Sequence, residues 1–254
     1  ENDLPFLKQF DTAIIVNAFG GAGGTIQDYV NVCEVLNKLD IDGVELNLSC
    51  PNVKAGCLAY GTTYEGVKEI TSAVRKVLTN KPLIIKLTPN ITDITIPAKA
   101  AEEAGADAIS LINTLTAMKI DINTRRPILA NNTGGLSGPA IKPVAVRMVY
   151  QASQAVNIPV MGLGGIMNGE DAIEFMLAGA SCISIGCGNF IDPMCSIKTV
   201  EGIENYMKKH KIHPVFWLVA VCGLLFMVFG VWREEIVILY QKAVYICMEC
   251  IGIG

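Results

Sequence analysis

Upstream of residue 210 the chain has no histidine to move protons with; its two histidines, His210 and His213, share one short polar stretch. A Ser-His-Asp triad, a His-ligated metal and a His general base are excluded from that region, where proton transfer falls to Cys, Lys, Tyr or a carboxylate. No metal site is expected. Asn47-Leu-Ser-Cys50-Pro-Asn52 sets two amides and a thiol close together, and Lys86 lies inside the apolar run IIKLTPN. A lysine in an apolar strand must reach a mouth or a partner charge. Asn113-Thr114, Gly164-Gly165 and Gly186-Cys187-Gly188 each close another apolar run. Taken singly, each has a plain structural reading: a turn Asn, a small core Cys, a Gly turn. Their shared position at run ends points instead to one mouth. Glycines there let backbone N–H groups approach a phosphate, and a lysine beside a flavin stabilises negative charge on the reduced ring. A phosphate-bearing cofactor with its ring toward Lys86 and Asn47 is the expected occupant.

Six short apolar runs hold these groups: Ala13–Asn17, Gly43–Ser49, Leu83–Thr88, Ala108–Thr114, Val160–Gly164 and Cys182–Gly186. Runs apolar on both faces read as parallel strands covered by helices. Thr25 is placed to cap a helix over Ile26–Leu39 with Asp28 in its first turn, Asp93 to cap one ending at Gly105, and Asp171 near the start of one ending at Gly179. Glu103-Ala-Gly-Ala-Asp-Ala-Ile-Ser echoes Leu177-Ala-Gly-Ala-Ser-Cys-Ile-Ser, a helix end, a Gly cap and an immediate strand. Such turns recur in (β/α)8 barrels, whose sites follow the strand C-termini. A doubly wound sheet has similar periodicity, and six units fall short of the eight that close a barrel.

The chain has 254 residues, 51% hydrophobic and 17% charged, with a net charge of −4. Mean hydropathy is +0.42. Such a composition excludes a disordered chain and argues against nucleic acid as a partner, since phosphate backbones call for clustered Lys and Arg. Nine irregularly spaced cysteines do not form a disulfide framework, so a reducing cytosol is expected. Much of the hydropathy sits in residues 214–232, which carry no charge and have Trp217 and Trp232 near their ends. That length spans a bilayer as a helix. Lys208, Lys209 and Lys211 before it place residues 1–211 in the cytoplasm by the positive-inside rule. Beyond it, Cys247 and Cys250 form a CxxC pair, suited to a dithiol couple or half a metal site, and the tail resembles short membrane-anchored CxxC proteins. The expected division is therefore a barrel over 1–212 and a transmembrane helix with a CxxC tail over 213–254.

The runs VELNLSCPNVKAG, LIIKLTPNITDI, AGADAISLINT, RRPILANNTGGLSGPAIKPVAVRMVYQ, MGLGGIMNGEDAIEFMLAGA and SIGCGNFIDP resemble class 1 dihydroorotate dehydrogenases, and among these the class 1B catalytic subunit. The resemblance extends over about residues 3–212 and implies an FMN-containing (β/α)8 barrel that oxidises dihydroorotate to orotate in pyrimidine synthesis. It implies a partner subunit carrying FAD and an iron–sulfur centre, NAD+ as final acceptor, and a homodimer of catalytic subunits. Carried over by motif, Cys50 is the general base. Asn47, Asn52, Asn113 and Thr114 bind the substrate ring and carboxylate. Asn17, Asn47, Lys86 and Ile112 contact the flavin and its ribityl chain, and Gly138, Gly164, Gly165, Gly186 and Cys187 line its phosphate end. Cys187 stands where the family pattern has Thr.

Measured against that pattern, the family's first two strands and their loops do not appear, so the expectation is a barrel lacking those strands and impaired in turnover. Gly20-Gly21-Ala22-Gly23-Gly24 reads as a local insertion, because it lacks the GxGxxG spacing of a dinucleotide fingerprint. Two other functions fit the same residues: a membrane-anchored thiol redox protein using Cys247 and Cys250, and a dihydropyrimidine-type flavoenzyme.

Overall fold

The apolar runs become strands and the amphipathic stretches between them become helices in the computed structural model, which describes residues 3–20, 25–48 and 60–211. In chain order the elements begin α1 (Leu4–Leu7), β1 (Ile15–Ala18), α2 (Ile26–Leu36), β2 (Gly43–Asn47), α3 (Tyr64–Val77), β3 (Leu83–Lys86), α4 (Thr95–Glu103) and β4 (Ala108–Leu111). An excursion follows, of β5 (Leu115–Met118), β6 (Ile120–Asp121), β7 (Arg126–Pro127) and β8 (Thr133–Leu136). The remainder is a 3-10 turn at Pro139–Ile141, α5 (Lys142–Ser153), β9 (Val160–Leu163), α6 (Gly169–Leu177), β10 (Cys182–Ser184), α7 (Cys187–Ile191) and α8 (Cys195–Lys209).

All six expected runs supply a strand, and the six form one sheet in the order β1-β2-β3-β4-β9-β10 with every pairing parallel. The order never reverses. A doubly wound sheet reverses at its switch point, whereas a barrel wall proceeds strand by strand. Helices α2 to α6 each pack on the next in the same progression, forming one layer. The core lies between that layer and the sheet: Leu46, Ile85, Ile109 and Leu111 are fully shielded, as are Val67, Ile70 and Val74 of α3 and Phe175 of α6. Gly162 of β9 is required there, since a Cβ on it would lie 2.6 Å from the Phe175 ring.

Local signals explain most helix boundaries. Thr25 and Asp28 form a reciprocal capping box at the start of α2, satisfying two amides that the first turn leaves unpaired. This helix stops at Leu36, a turn short of the expected Leu39, with Asn37 as its C-cap. Asn168 caps α6 by accepting from the Asp171 amide at 3.0 Å. At α4 the expectation is corrected: the N-cap is Ile94, and Asp93 acts one residue earlier, accepting from the Thr95 amide at 2.9 Å and its hydroxyl at 2.8 Å. Gly105 and Gly179 follow α4 and α6 with φ of 91° and 104°, the left-handed conformation that ends a helix.

The excursion was not expected. Its pairs, β5 with β8 and β6 with β7, are antiparallel and separate from the main sheet. Packing divides the chain after Ile203. Of the second part, the structure describes the end of α8 and the residues to Lys211, where the Tyr206 and His210 rings lie 4.2 Å apart. No helix among the described residues is long and apolar enough to cross a membrane. The span expected at 214–232 and the Cys247/Cys250 pair lie outside them, as do residues 21–24 of the glycine stretch.

Candidate functional site

Parallel register lines up the polar residues of the sheet. Asn47 is opposite Lys86, Lys86 opposite Ser110, Ser110 opposite Met161 and Met161 opposite Cys182. One step earlier on the same face, Asn17 is opposite Glu45. Side chains two apart on a strand share a face, and Gly162, in contact with Phe175, marks the other face as the helix side. The helix-free face therefore carries Asn17, Glu45, Asn47, Lys86 and Ser110. Such a row is costly to shield unless its members satisfy one another.

They do so around Glu45, which is 9% exposed. Its Oε1 accepts from the Ser110 hydroxyl at 2.6 Å. Its Oε2 accepts from the Lys86 ammonium at 3.3 Å and from the Asn17 amide. Side chains of Lys86 and Glu45 are 14% and 12% exposed, so this is a shielded ion pair with hydrogen bonds filling its remaining capacity. Just beyond the row, the Tyr29 hydroxyl donates to the Asn47 carbonyl at 3.3 Å.

Loops at the same strand ends form a second cluster. Asn90 holds the segment after β4, with Nδ2 donating to the Thr114 carbonyl at 3.2 Å and Oδ1 accepting from the Thr116 amide at 2.8 Å. Ile112 is buried and its amide donates to the Leu163 carbonyl at 2.8 Å. Gly138, Gly164 and Gly165 have φ of 87°, 134° and 79°, values that side chains rarely tolerate. A Cβ on Gly164 would lie 2.8 Å from Ala145 Cβ, and one on Gly165 would lie 2.6 Å from the Gly138 carbonyl oxygen. One on Gly138 would lie 3.9 Å from Cys187 Sγ, whereas one on Gly186 meets no described atom within 4 Å. Three loops thus converge as bare backbone, and Gly186 keeps its own approach clear. Lys142 beside them is held by Asp171 at 2.6 Å and Glu174 at 2.7 Å. Asp171 also accepts from the Met167 amide at 2.9 Å. These hydrogen bonds, Asp171 first and Glu174 second, push the Lys142 pKa up. With its charge committed to two carboxylates, Lys142 fastens the loop.

A polar row beside a glycine cradle suits a ligand with a hydrogen-bonding ring at one end and a phosphate at the other. A profile of the dihydroorotate dehydrogenase family matches residues 2–207. The chain belongs to that family. Among its relatives, the dihydroorotate dehydrogenase B (NAD(+)) catalytic subunit of Alkaliphilus metalliredigens is 58% identical over 212 residues, 84% of this chain and 69% of the relative. The proteins of the same name from Lachnoclostridium phytofermentans and Bacteroides thetaiotaomicron are 53% and 56% identical. Those two alignments include 85% and 83% of this chain, and 70% and 68% of each relative.

Of the residues expected to serve a dihydroorotate dehydrogenase, the structure brings Asn17, Asn47 and Lys86 onto one face. It gathers Gly138, Gly164, Gly165 and Cys187 in the cradle with Ile112 packed beneath Gly164. Asn113 and Thr114 follow β4, the Asn113 amide donating to the Leu87 carbonyl at 3.2 Å. Cys50 and Asn52 lie outside the described residues. Sequence reasoning missed Glu45, Ser110, Asn90 and Lys142. The rule that singled out Lys86, a charge inside an apolar strand, applies equally to Glu45 in GVELN; Ser110 had no such signal.

Proposed function

We propose that the chain oxidises dihydroorotate to orotate in pyrimidine biosynthesis, with FMN as cofactor. The observation that carries the reading is the glycine cradle set beside the Lys86–Glu45 row at the same strand ends. The residues fit FMN: the cradle excludes side chains where backbone must meet a phosphate, and Asn17, Asn47 and Lys86 offer donors to a polar ring. When bound, FMN supplies the hydride acceptor for C6 of dihydroorotate.

The chain's own residues do the rest. Asn47, Asn52, Asn113 and Thr114 hydrogen-bond the substrate ring and carboxylate, fixing C6 toward the cofactor and C5 toward Cys50. Cys50 takes the C5 proton, a task open to a thiol tuned toward neutral pH in a region without histidine. Lys86, Asn17 and Ile112 hold the flavin ring and ribityl chain. Gly138, Gly164, Gly165, Gly186 and Cys187 hold the phosphate, Cys187 by its backbone N–H alone.

The relatives' names specify a catalytic subunit and NAD(+), and we extend both to this chain. The partner would be an electron-transfer subunit carrying FAD and an iron–sulfur centre, with NAD+ as the final acceptor, and two catalytic subunits would pair. Residues 1–212 supply six strands of a (β/α)8 barrel in the cytoplasm. Titration of the full chain with FMN tests the reading: one equivalent binds, and anaerobic dihydroorotate bleaches the flavin absorbance whereas dihydrouracil does not. Absence of FMN binding, or bleaching by dihydrouracil instead, overturns it.

A further inference from the structure

We propose that Glu45 is a positioning residue that fixes the direction of Lys86 and offsets its charge, and thereby sets the electron affinity of the flavin. The second half rests on the FMN reading above. Glu45 stands outside the expected substrate and cofactor set, yet it is the hub of the polar row. Its two oxygens accept from Asn17, Lys86 and Ser110, three donors from three other strands. A carboxylate so occupied by the chain's own donors is unsuited to act as a base on substrate; it holds its partners in place.

Lys86 is the partner that matters for chemistry. Its stem is flexible, and of its three N–H donors Glu45 takes one. An ammonium tied to a shielded carboxylate does not swing out. Among the described residues, the titratable side chains that register puts on this face are Glu45 of β2, Lys86 of β3 and Cys182 of β10; β1 and β4 contribute Asn17 and Ser110. A cation beside a flavin favours the reduced, anionic ring. The counter-charge at 3.3 Å moderates that pull, so the pair, and not the lysine alone, sets the electrostatic environment.

Two variants separate charge from shape. Glu45→Gln keeps the shape and removes the charge; Glu45→Asp keeps the charge on a shorter stem that the lysine follows. The first readout needs no flavin: acylation of Lys86 by an amine-reactive ester, followed by peptide mass spectrometry. Glu45→Gln is expected to speed it several-fold, and Glu45→Asp to leave it near the wild-type rate. The second is the midpoint potential of bound FMN at neutral pH, expected to be more positive in Glu45→Gln and near wild type in Glu45→Asp. A merely structural role predicts the reverse order, with the isosteric Gln harmless and the Asp disruptive, and that order overturns the proposal. If the Gln variant does not fold, Glu45→Asp decides alone: faster acylation or a displaced potential with the charge retained overturns it. If wild-type chain binds no FMN, the functional reading fails while the acylation rates still decide whether Glu45 controls Lys86.

Discussion

At the scale of single residues, the fold and its polar row depend on charges and thiols kept from water. Lys86→Met leaves the Glu45 carboxylate shielded without its counter-charge, and breaking a buried pair by removing one partner costs about 3–5 kcal/mol. Urea denaturation should show a loss of that size, and a change within error would mean that the pair is not shielded as described. Cys33 is buried in the core, and burial pushes its thiol up to about 12. It is expected to resist alkylation in the folded chain at mildly alkaline pH and to react fully once urea unfolds it; prompt alkylation of native Cys33 would contradict its place on the buried side of α2. These residues were unequally legible. Lys86 announced itself as a charge in an apolar run, whereas Ser110 bonds Glu45 from sixty-five residues away, a pairing that only register creates.

Among the elements, the glycine loops carry the sharpest predictions because each glycine is required for a different reason. Gly165→Ala places a Cβ at a φ of 79° and 2.6 Å from the Gly138 carbonyl oxygen. The left-handed backbone alone costs about 1–2 kcal/mol, so thermal stability should fall. Gly186→Ala meets no described atom within 4 Å. It should keep the melting temperature and weaken FMN binding, measured by fluorescence titration; the reverse pattern in either variant would displace the cradle from these loops. Lys142 ties α5 to α6 through Asp171 and Glu174, and its folded pKa is raised by both. The tie therefore contributes in full below the ordinary lysine value of 10.5 and is lost as pH climbs through the raised one. Melting temperature against pH should show wild type and Lys142→Met converging on the alkaline side. A constant gap would remove Lys142 from the tie. Capping was readable at Thr25, because the box is local. At Asp93 the same signal misplaced the cap, since Thr95 captured the carboxylate by a turn just outside the helix.

For the whole molecule, the strand–helix alternation and the parallel sheet were legible, because continuous apolar runs in this rhythm have few other solutions. The excursion was not. Its strands are two to four residues long, and although Leu115 packs on the core, Met118, Ile120, Ile122 and Ile128 are exposed, so too little buried face exists to imprint a period on the sequence. Family membership rests on motifs at the strand ends, and those same motifs assemble the polar row and the cradle, so fold and proposed chemistry stand on shared residues. The most direct test is single-turnover reduction of FMN in the full chain by dihydroorotate near neutral pH, comparing wild type with Cys50→Ser. General-base removal costs about 10²–10⁴-fold, so the variant should retain FMN and reduce it slower by that order. Equal rates in the two proteins, with FMN bound to both, would contradict the assignment of the reaction to this site.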